Sequence, residues 1–302
     1  MESMKRVLAL DGGGIRGLVP AVFLRELEQA TGKPASTLFD LVAGTSTGGI
    51  IALGIGLGFD GEDLVRLYRN RGETIFSRRT LGLIFGVIDQ LRGPKYLADG
   101  LEQVLQETFG NALLGQSALP TLVTSYSVQE HTLRLFRSWD QDGKTFPMRA
   151  VARATSAAPT YFPPAVIGAK TYLDGGMEAN NPASVAYDEA RVLWPDERDF
   201  LVVSLGTGSL TRKYDTSAMA GWGVLGWAGP ALHMLFDAGA DAVEKHMTRT
   251  LGNRHVRFQP ELLTASDDMD NVEPINLDQL EQDTMDEIAR TDLVEQLAAR
   301  LE

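Results

Sequence analysis

A serine flanked by glycines is the strongest candidate for chemistry in this sequence of 302 residues. Gly44, Ser46 and Gly48 form the pattern G-x-S-x-G, between an apolar stretch that predicts a strand and one that predicts a helix. In this context the glycines allow a strained turn that exposes the serine hydroxyl at the start of the helix. The amide groups and the dipole of that helix favour negative charge on a bound carbonyl group. We therefore interpret Ser46 as a candidate nucleophile.

A second glycine-rich turn lies earlier in the chain, in DGGGIRG at residues 11–17. Gly12, Gly14 and Gly17 satisfy G-x-G-x-x-G, which is typical of dinucleotide binding when it follows a strand and precedes a helix. That fingerprint requires an acidic residue at the end of the second strand, whereas Asp40 stands at the predicted start of that strand. The end of the strand is occupied by the serine turn, which weakens the dinucleotide interpretation.

The two turns together indicate an oxyanion hole. Adjacent parallel strands that both end in glycine-rich turns place the amides of Gly12, Gly13 and Gly14 beside Ser46. Arg16 adds a positive charge nearby. The alternative, in which the glycines only permit a tight turn and Arg16 lies on the surface, stays open from the sequence alone.

A serine nucleophile needs a base, and the sequence offers a carboxylate for this role. In TYLDGGMEANNP, strand-like residues lead into Asp174, which Gly175 and Gly176 follow at the edge where the other turns are expected. The alternative is that Asp174 belongs to an ordinary Asp-Gly turn. A histidine in a Ser–Asp–His triad is also considered, but the histidines stand in contexts that favour structural or exposed positions. They are His131, His233, His246 and His255.

Composition excludes several classes of function. The chain has no cysteine, so disulfides and thiolate metal sites are excluded, and the histidines lack metal-ligand spacing. We expect neither a metal nor a cofactor. Of the formal charge of −12, residues 261–302 carry −11 in a helix-like acidic segment, and no basic face for DNA or RNA is present. No secretory signal is recognised, so we expect a cytoplasmic protein.

Short apolar strands alternate with helical patterns along the chain. This alternation predicts an α/β fold in three layers, with a central, mostly parallel sheet that helices flank on both faces. We expect a single domain over residues 1–302, in which the chemistry lies within 5–210 and residues 211–302 form a C-terminal helical extension.

Two segments suit contact with a lipid surface. Residues 66–95 combine a basic flank, which includes Arg78 and Arg79, with the apolar run LGLIFGVI. Residues 221–236 are uncharged apart from the histidine and carry Trp222 and Trp227 among glycines, and tryptophan favours the membrane interface. The alternative for both segments is a buried helix or a packed loop.

The chain resembles the patatin-like phospholipases through six motifs in the order of that family. The motifs are DGGGIRG (11–17), GTSTGG (44–49), ATSAAPTYFPP (154–164), DGG (174–176), NNP (180–182) and SLGTG (204–208). The resemblance implies Ser46 as nucleophile and Asp174 as sole base of a Ser–Asp dyad, with Gly12 to Gly14 and Arg16 at the oxyanion hole. It also implies calcium-independent hydrolysis of fatty-acyl esters of membrane phospholipids through an acyl-enzyme.

Two other functions stay open, as does regulation. One is a serine esterase that acts on small soluble esters, and the other is a nucleotide-binding module that uses the first glycine-rich turn. Some bacterial members of the family that the chain resembles are switched on by cyclic nucleotides in antiviral defence, so a cyclic-nucleotide activator is a further expectation. When active, the protein is expected to bind peripherally at the inner face of the membrane. The sequence does not predict an oligomeric state.

Overall fold

A computed structural model describes residues 4–77, 93–209 and 215–301, in which eight strands form a single sheet. The order across the sheet is β5-β6-β3-β2-β1-β7-β8, and β4 pairs with the other edge of β3. The strands are β1 Lys5–Leu10, β2 Leu41–Thr45, β3 Thr121–Ser127, β4 Thr132–Arg137, β5 Ala165–Ile167, β6 Lys170–Asp174, β7 Phe200–Leu205 and β8 His255–Phe258.

Parallel pairs form the centre of the sheet, and antiparallel pairs form one side. The pairs β1–β2, β1–β7, β2–β3 and β7–β8 are parallel, whereas β3–β4, β3–β6 and β5–β6 are antiparallel. The prediction of an α/β fold with a mostly parallel central sheet is therefore confirmed.

Helices connect and cover these strands. In the described residues they are α1 Leu18–Thr31, α2 Ala35–Leu38, α3 Thr47–Gly56, α4 Gly61–Ile75, α5 Ala98–Phe109, α6 Met148–Thr155, α7 Gly176–Ala179, α8 Ala183–Leu193, α9 Thr216–Met219, α10 Val224–Leu251, α11 Pro274–Thr291 and α12 Leu293–Leu301. The acidic segment forms α11 and α12, and α11 packs against α1.

The central strands are buried on both faces, as a parallel sheet between two helical layers requires. Along β1, Leu8 and Leu10 belong to one apolar cluster, together with residues of α1. Val7 and Ala9 point to the opposite face and pack with small residues of α8. At β1 the sheet therefore separates two apolar clusters, one on each face.

The pairing of β3 places the end of β6 next to the end of β2. Residues 121–124 of β3 pair with β2, and residues 125–127 of the same strand pair with β6. Because β4 occupies the opposite edge of β3, β6 must enter where β2 leaves the sheet. Thr45 pairs with Thr124 and Asp174 with Ser125, so the residue after β2 and the last residue of β6 meet at one place.

Strand β2 begins at Leu41, directly after Asp40, and the long helix α10 begins at Val224. The acidic helix is divided at Asp292, which adopts a positive φ of 50°. In the described part of the chain, no helix is both long enough and apolar enough to cross a membrane.

Candidate active site

Ser46 lies on a strained turn between β2 and α3. Its backbone has φ 55° and ψ −121°, a region that residues with side chains rarely adopt and that strained functional turns often contain. A Cβ atom on Gly44 would overlap the carbonyl oxygen of Gly48, and one on Gly48 would overlap the carbonyl oxygen of Leu10. The glycines of the G-x-S-x-G pattern are therefore required for close backbone approach, as the sequence pattern predicts.

The segment ATSAAP, at the end of α6, holds both the serine turn and the carboxylate strand. The amide of Ser46 donates to Thr155 Oγ1 at 2.7 Å, and the amide of Asp174 donates to the carbonyl oxygen of Ala157 at 3.0 Å. Thr155 is fully buried. The sequence alone gives no role to Thr155, although the motif that contains it is one of the six that carry the resemblance.

Asp174 is fully buried at the end of β6, in the cavity that Ser46 also lines. Its Oδ1 accepts a hydrogen bond from the amide of Gly176 at 2.8 Å. Among the described residues, its Oδ2 has no hydrogen bond of good geometry, but the Ser46 side chain interacts with the carboxyl group. The structure therefore brings the two sequence-predicted residues together.

Burial raises the pKa of Asp174 from its ordinary value of 3.8 to about 7. The cause is the loss of hydration of the charged carboxylate, which the Ser46 side chain and the Gly176 amide offset in part because both favour the ionised form. A carboxyl group with a pKa near neutrality is suited to accept a proton from an alcohol and return it later.

Two residues of the first glycine-rich turn contribute to this cavity. Gly13 and Gly14 line the cavity with Ser46, and within the described ranges no acceptor is found for their backbone N–H groups. The amide of Gly12 donates instead to the carbonyl oxygen of Asn180 at 3.1 Å. The sequence groups Gly12 with Gly13 and Gly14 at the oxyanion hole, but in the structure the amide of Gly12 already has an acceptor.

Arg16 is buried behind the glycine turn. It therefore does not lie on the surface, where the alternative interpretation of the sequence places it. Its Nε and Nη1 donate to the carbonyl oxygens of Gly13 and Gly208, each at 3.4 Å. Burial lowers the pKa of Arg16, and the negative charges of Asp237 and Asp267 oppose this shift. The guanidinium does not line the cavity, so its contact with the turn is through the backbone.

The cavity is apolar apart from the groups at its base. Its aliphatic and aromatic lining includes Ile50, Ile75, Phe76, Leu101, Phe162 and Phe236. Its volume is about 50 Å³, whereas pockets that enclose small-molecule ligands usually have roughly 300–1,000 Å³. In this state the cavity exposes Ser46 only slightly, at 8% of its surface.

None of the four histidines lines this cavity. His131 and His246 are exposed, and burial together with the charge of Arg257 lowers the pKa of His255 to about 4. His233 contacts the cavity indirectly, because its Nε2 lies 3.0 Å from the hydroxyl of Tyr161, and Tyr161 lines the cavity. The described ranges contain no group of three or more acidic or histidine side chains that could hold a metal ion.

The structure describes two of the four residues that the sequence predicts for membrane contact. Arg78 and Arg79 lie outside the described residues. The rings of Trp222 and Trp227 form an edge-to-face pair with centroids 5.2 Å apart, and Trp227 is 36% exposed. Trp227 belongs to α10, which also supplies Phe236 to the cavity.

The fold and the site together define an α/β protein with a serine turn, a buried carboxylate and a glycine-rich turn at one edge of its sheet. The family model described as patatin-like phospholipase matches residues 8–187, and the chain belongs to this family.

Relatives across bacteria, plants and animals are similar to this chain. Patatin-like protein 2 of Arabidopsis thaliana is 31% identical over 90% of this chain and 80% of its own length. A cGAMP-activated phospholipase of Pseudomonas aeruginosa is also 31% identical, over 83% of this chain and 77% of its own length. The human calcium-independent phospholipase A2-gamma is 34% identical over 67% of this chain, which corresponds to 28% of that protein.

Proposed function

We propose that this protein is a lipid acyl hydrolase of the phospholipase A type, with Ser46 as nucleophile and Asp174 as sole base. The observation that carries the proposal is the meeting of these two residues at an apolar cavity, which is also lined by Gly13 and Gly14, whose amides have no acceptor among the described residues. The phospholipase names of the family and of two relatives support a lipid ester as substrate.

The first half of the reaction forms an acyl-enzyme. Asp174 accepts the hydroxyl proton of Ser46 while Ser46 Oγ bonds to the carbonyl carbon of the ester, whose π electrons move to its oxygen. The amides of Gly13 and Gly14 donate to this oxyanion. When the tetrahedral intermediate collapses, the C–O bond to the leaving alcohol breaks and that alcohol receives the proton from Asp174.

The second half repeats these steps with water. Asp174 accepts a proton from a water molecule that attacks the acyl carbon, and the amides again stabilise the oxyanion. The bond to Ser46 Oγ then breaks, the proton returns to that oxygen and the fatty acid leaves. None of these steps requires calcium, so we expect activity to persist in the presence of a calcium chelator.

The proposal is tested by measuring fatty-acid release from phosphatidylcholine vesicles and hydrolysis of a short soluble aryl ester. We expect Ser46→Ala and Asp174→Asn to abolish both activities while the purified proteins remain folded. A wild-type enzyme that cleaves the soluble ester but shows no rate increase on vesicles or micelles would instead be an esterase for small substrates. Full activity in Ser46→Ala would refute the dyad.

The tryptophan pair supports peripheral contact with a membrane, which we propose at the inner face. Trp222 and Trp227 lie near the start of α10, and Leu235 further along the same helix is 49% exposed. Trp side chains favour the interface between lipid and water. The contribution of Arg78 and Arg79 remains a prediction, since charge reversal at both is expected to reduce vesicle binding more than hydrolysis of a soluble ester.

We also propose that the structure represents a latent state. The cavity of about 50 Å³ has room for only a few water molecules. This is less room than a fatty-acyl chain needs, so in this proposal lining side chains such as Phe236 of α10 move on activation. The cGAMP-activated relative supports a cyclic nucleotide as activator. Hydrolysis measured with and without cGAMP tests this regulation, and equal rates would exclude cGAMP as the activator.

A further inference from the structure

The motif SLGTG (204–208) spans the end of β7 and the loop that follows it, and it holds neither the nucleophile nor the base, yet this loop contacts the glycine-rich turn directly. Strands β1 and β7 are parallel neighbours, and Leu10 pairs with Leu205 at their carboxyl ends. The turn after β1 and the loop after β7 therefore lie at the same edge of the sheet. Thr207 of this loop is 3% exposed, although its side chain carries a hydroxyl group.

The Thr207 hydroxyl binds the first peptide group of the glycine turn. Its Oγ1 donates to the carbonyl oxygen of Gly12 at 2.9 Å. The same side chain lies against Gly13, where a Cβ atom would overlap Thr207 Oγ1. The carbonyl and the N–H of a trans peptide point in opposite directions. A hydrogen bond that holds the carbonyl of Gly12 towards Thr207 therefore turns the N–H of Gly13 away from Thr207.

The second peptide group of the turn is held in a similar way. The carbonyl oxygen of Gly13 accepts from Nε of Arg16 at 3.4 Å and from its backbone amide at 3.3 Å. By the same geometry of the peptide group, the N–H of Gly14 is directed away from Arg16. Gly13 and Gly14 both line the cavity, and their amides have no acceptor among the described residues.

We propose that Thr207 is a positioning residue of the oxyanion hole, which fixes the rotation of the Gly12–Gly13 peptide so that the N–H of Gly13 faces the reacting carbonyl. This inference rests on the proposed function. Without the hydroxyl, the peptide can rotate and present the carbonyl oxygen of Gly12 to the oxyanion, which replaces attraction by repulsion. Thr207 thus acts through Gly13 and does not touch the substrate.

The test compares Thr207→Val, which keeps the shape of the side chain and removes its hydroxyl, with Thr207→Ser, which keeps the hydroxyl. With a short soluble ester, we expect Thr207→Val to lower kcat by about 10- to 100-fold, somewhat less than the loss of a whole oxyanion donor. We expect KM to change by less than about twofold, because ground-state binding does not use the oxyanion hole. Thr207→Ser should restore kcat to within about threefold of the wild type.

A second measurement reports on the oxyanion hole alone. An alkyl trifluoromethyl ketone adds to a serine nucleophile as a charged hemiketal, so its affinity should fall in Thr207→Val by the same factor as kcat/KM. The pH profile of kcat/KM should keep its midpoint, because Asp174 is unchanged.

Thr284→Val is the matched control for the loss of a buried hydroxyl, since Thr284 is fully buried and donates to the carbonyl oxygen of Leu280 in α11. If Thr207→Val does not fold, Thr207→Ala undergoes the same measurements.

The outcomes separate this inference from the proposed function. Wild-type kcat and ketone affinity in Thr207→Val would overturn the role of Thr207 and leave the Ser46–Asp174 dyad standing. Equal losses in Thr207→Ser and Thr207→Val would also overturn it, because the hydroxyl would not be the cause. A wild-type enzyme that does not bind the ketone, together with an active Ser46→Ala variant, would remove both proposals.

Discussion

Replacement of Asp174 by asparagine should stabilise the protein by an amount that depends on pH. Burial raises the pKa of this carboxyl from 3.8 to about 7. Between these values the native protein binds a proton that the unfolded chain has lost, so this group makes the wild type less stable as pH rises. One pKa unit corresponds to about 1.36 kcal/mol, so the ionised carboxyl lowers the free energy of unfolding of the wild type by about 4 kcal/mol at most. Above pH 7 the difference in free energy of unfolding between Asp174→Asn and the wild type should reach a plateau.

The variant is chosen because asparagine keeps the shape and removes the charge. Its Oδ1 can still accept the hydrogen bond that the amide of Gly176 donates to Asp174 at 2.8 Å. The assay is urea unfolding at pH 5, 6, 7 and 8, followed by tryptophan fluorescence. The advantage of Asp174→Asn over the wild type in free energy of unfolding should grow by about 2.5 kcal/mol across this range, because part of the effect is already present at pH 5. The exposed control Asp196→Asn should show no such growth. If the difference in free energy of unfolding did not change with pH, the conclusion that the Asp174 carboxyl is buried and poorly hydrated would be refuted.

The same ionisation predicts that kcat/KM of the wild type rises with pH and levels off above about 7, because only the ionised Asp174 can accept a proton; a flat profile from pH 5 to 8 would contradict this. Single alanine replacements of the four histidines should keep most of the hydrolytic activity, and one inactive variant would favour a triad. Gly44→Ala should destabilise the fold by about 3 kcal/mol in urea unfolding, because its Cβ overlaps a carbonyl oxygen. Gly239→Ala, on an open face of α10, is the control and should stabilise by up to about 1 kcal/mol. The double variant Trp222→Ala and Trp227→Ala should bind vesicles roughly tenfold more weakly while it hydrolyses a soluble ester normally, since about 1.5 kcal/mol or more of apolar contact is lost; equal loss of both would refute an interfacial role.

The central strands and the candidate dyad could be predicted because their signals are local. Apolar runs mark β1, after its first two residues Lys5 and Arg6, and β2. Glycines at fixed spacing from Ser46 indicate a turn in which side chains would clash. Asp174 was recognisable because two glycines follow a strand-like segment. In each case a few neighbouring residues carry the physical constraint.

What the sequence could not predict depends on contacts between distant segments. The short edge strand β5 has an exposed Val166 and no alternating pattern of useful length. The hydrogen bond from Thr207 to Gly12 joins residues 195 positions apart, and the one from the Gly12 amide to Asn180 also depends on the folded arrangement. Hydrogen bonding of a particular amide follows from backbone rotation, which residue types alone do not determine.

The Ser46–Asp174 dyad is tested most directly by treating the protein with a fluorophosphonate, measuring the intact mass and mapping the labelled peptide. We expect a single adduct on Ser46 and no adduct in Ser46→Ala. The labelling rate of Asp174→Asn should be lower by at least about 100-fold at pH 8, because proton acceptance by Asp174 activates the hydroxyl. An adduct on a different serine, or equally fast labelling of Asp174→Asn, would contradict the dyad.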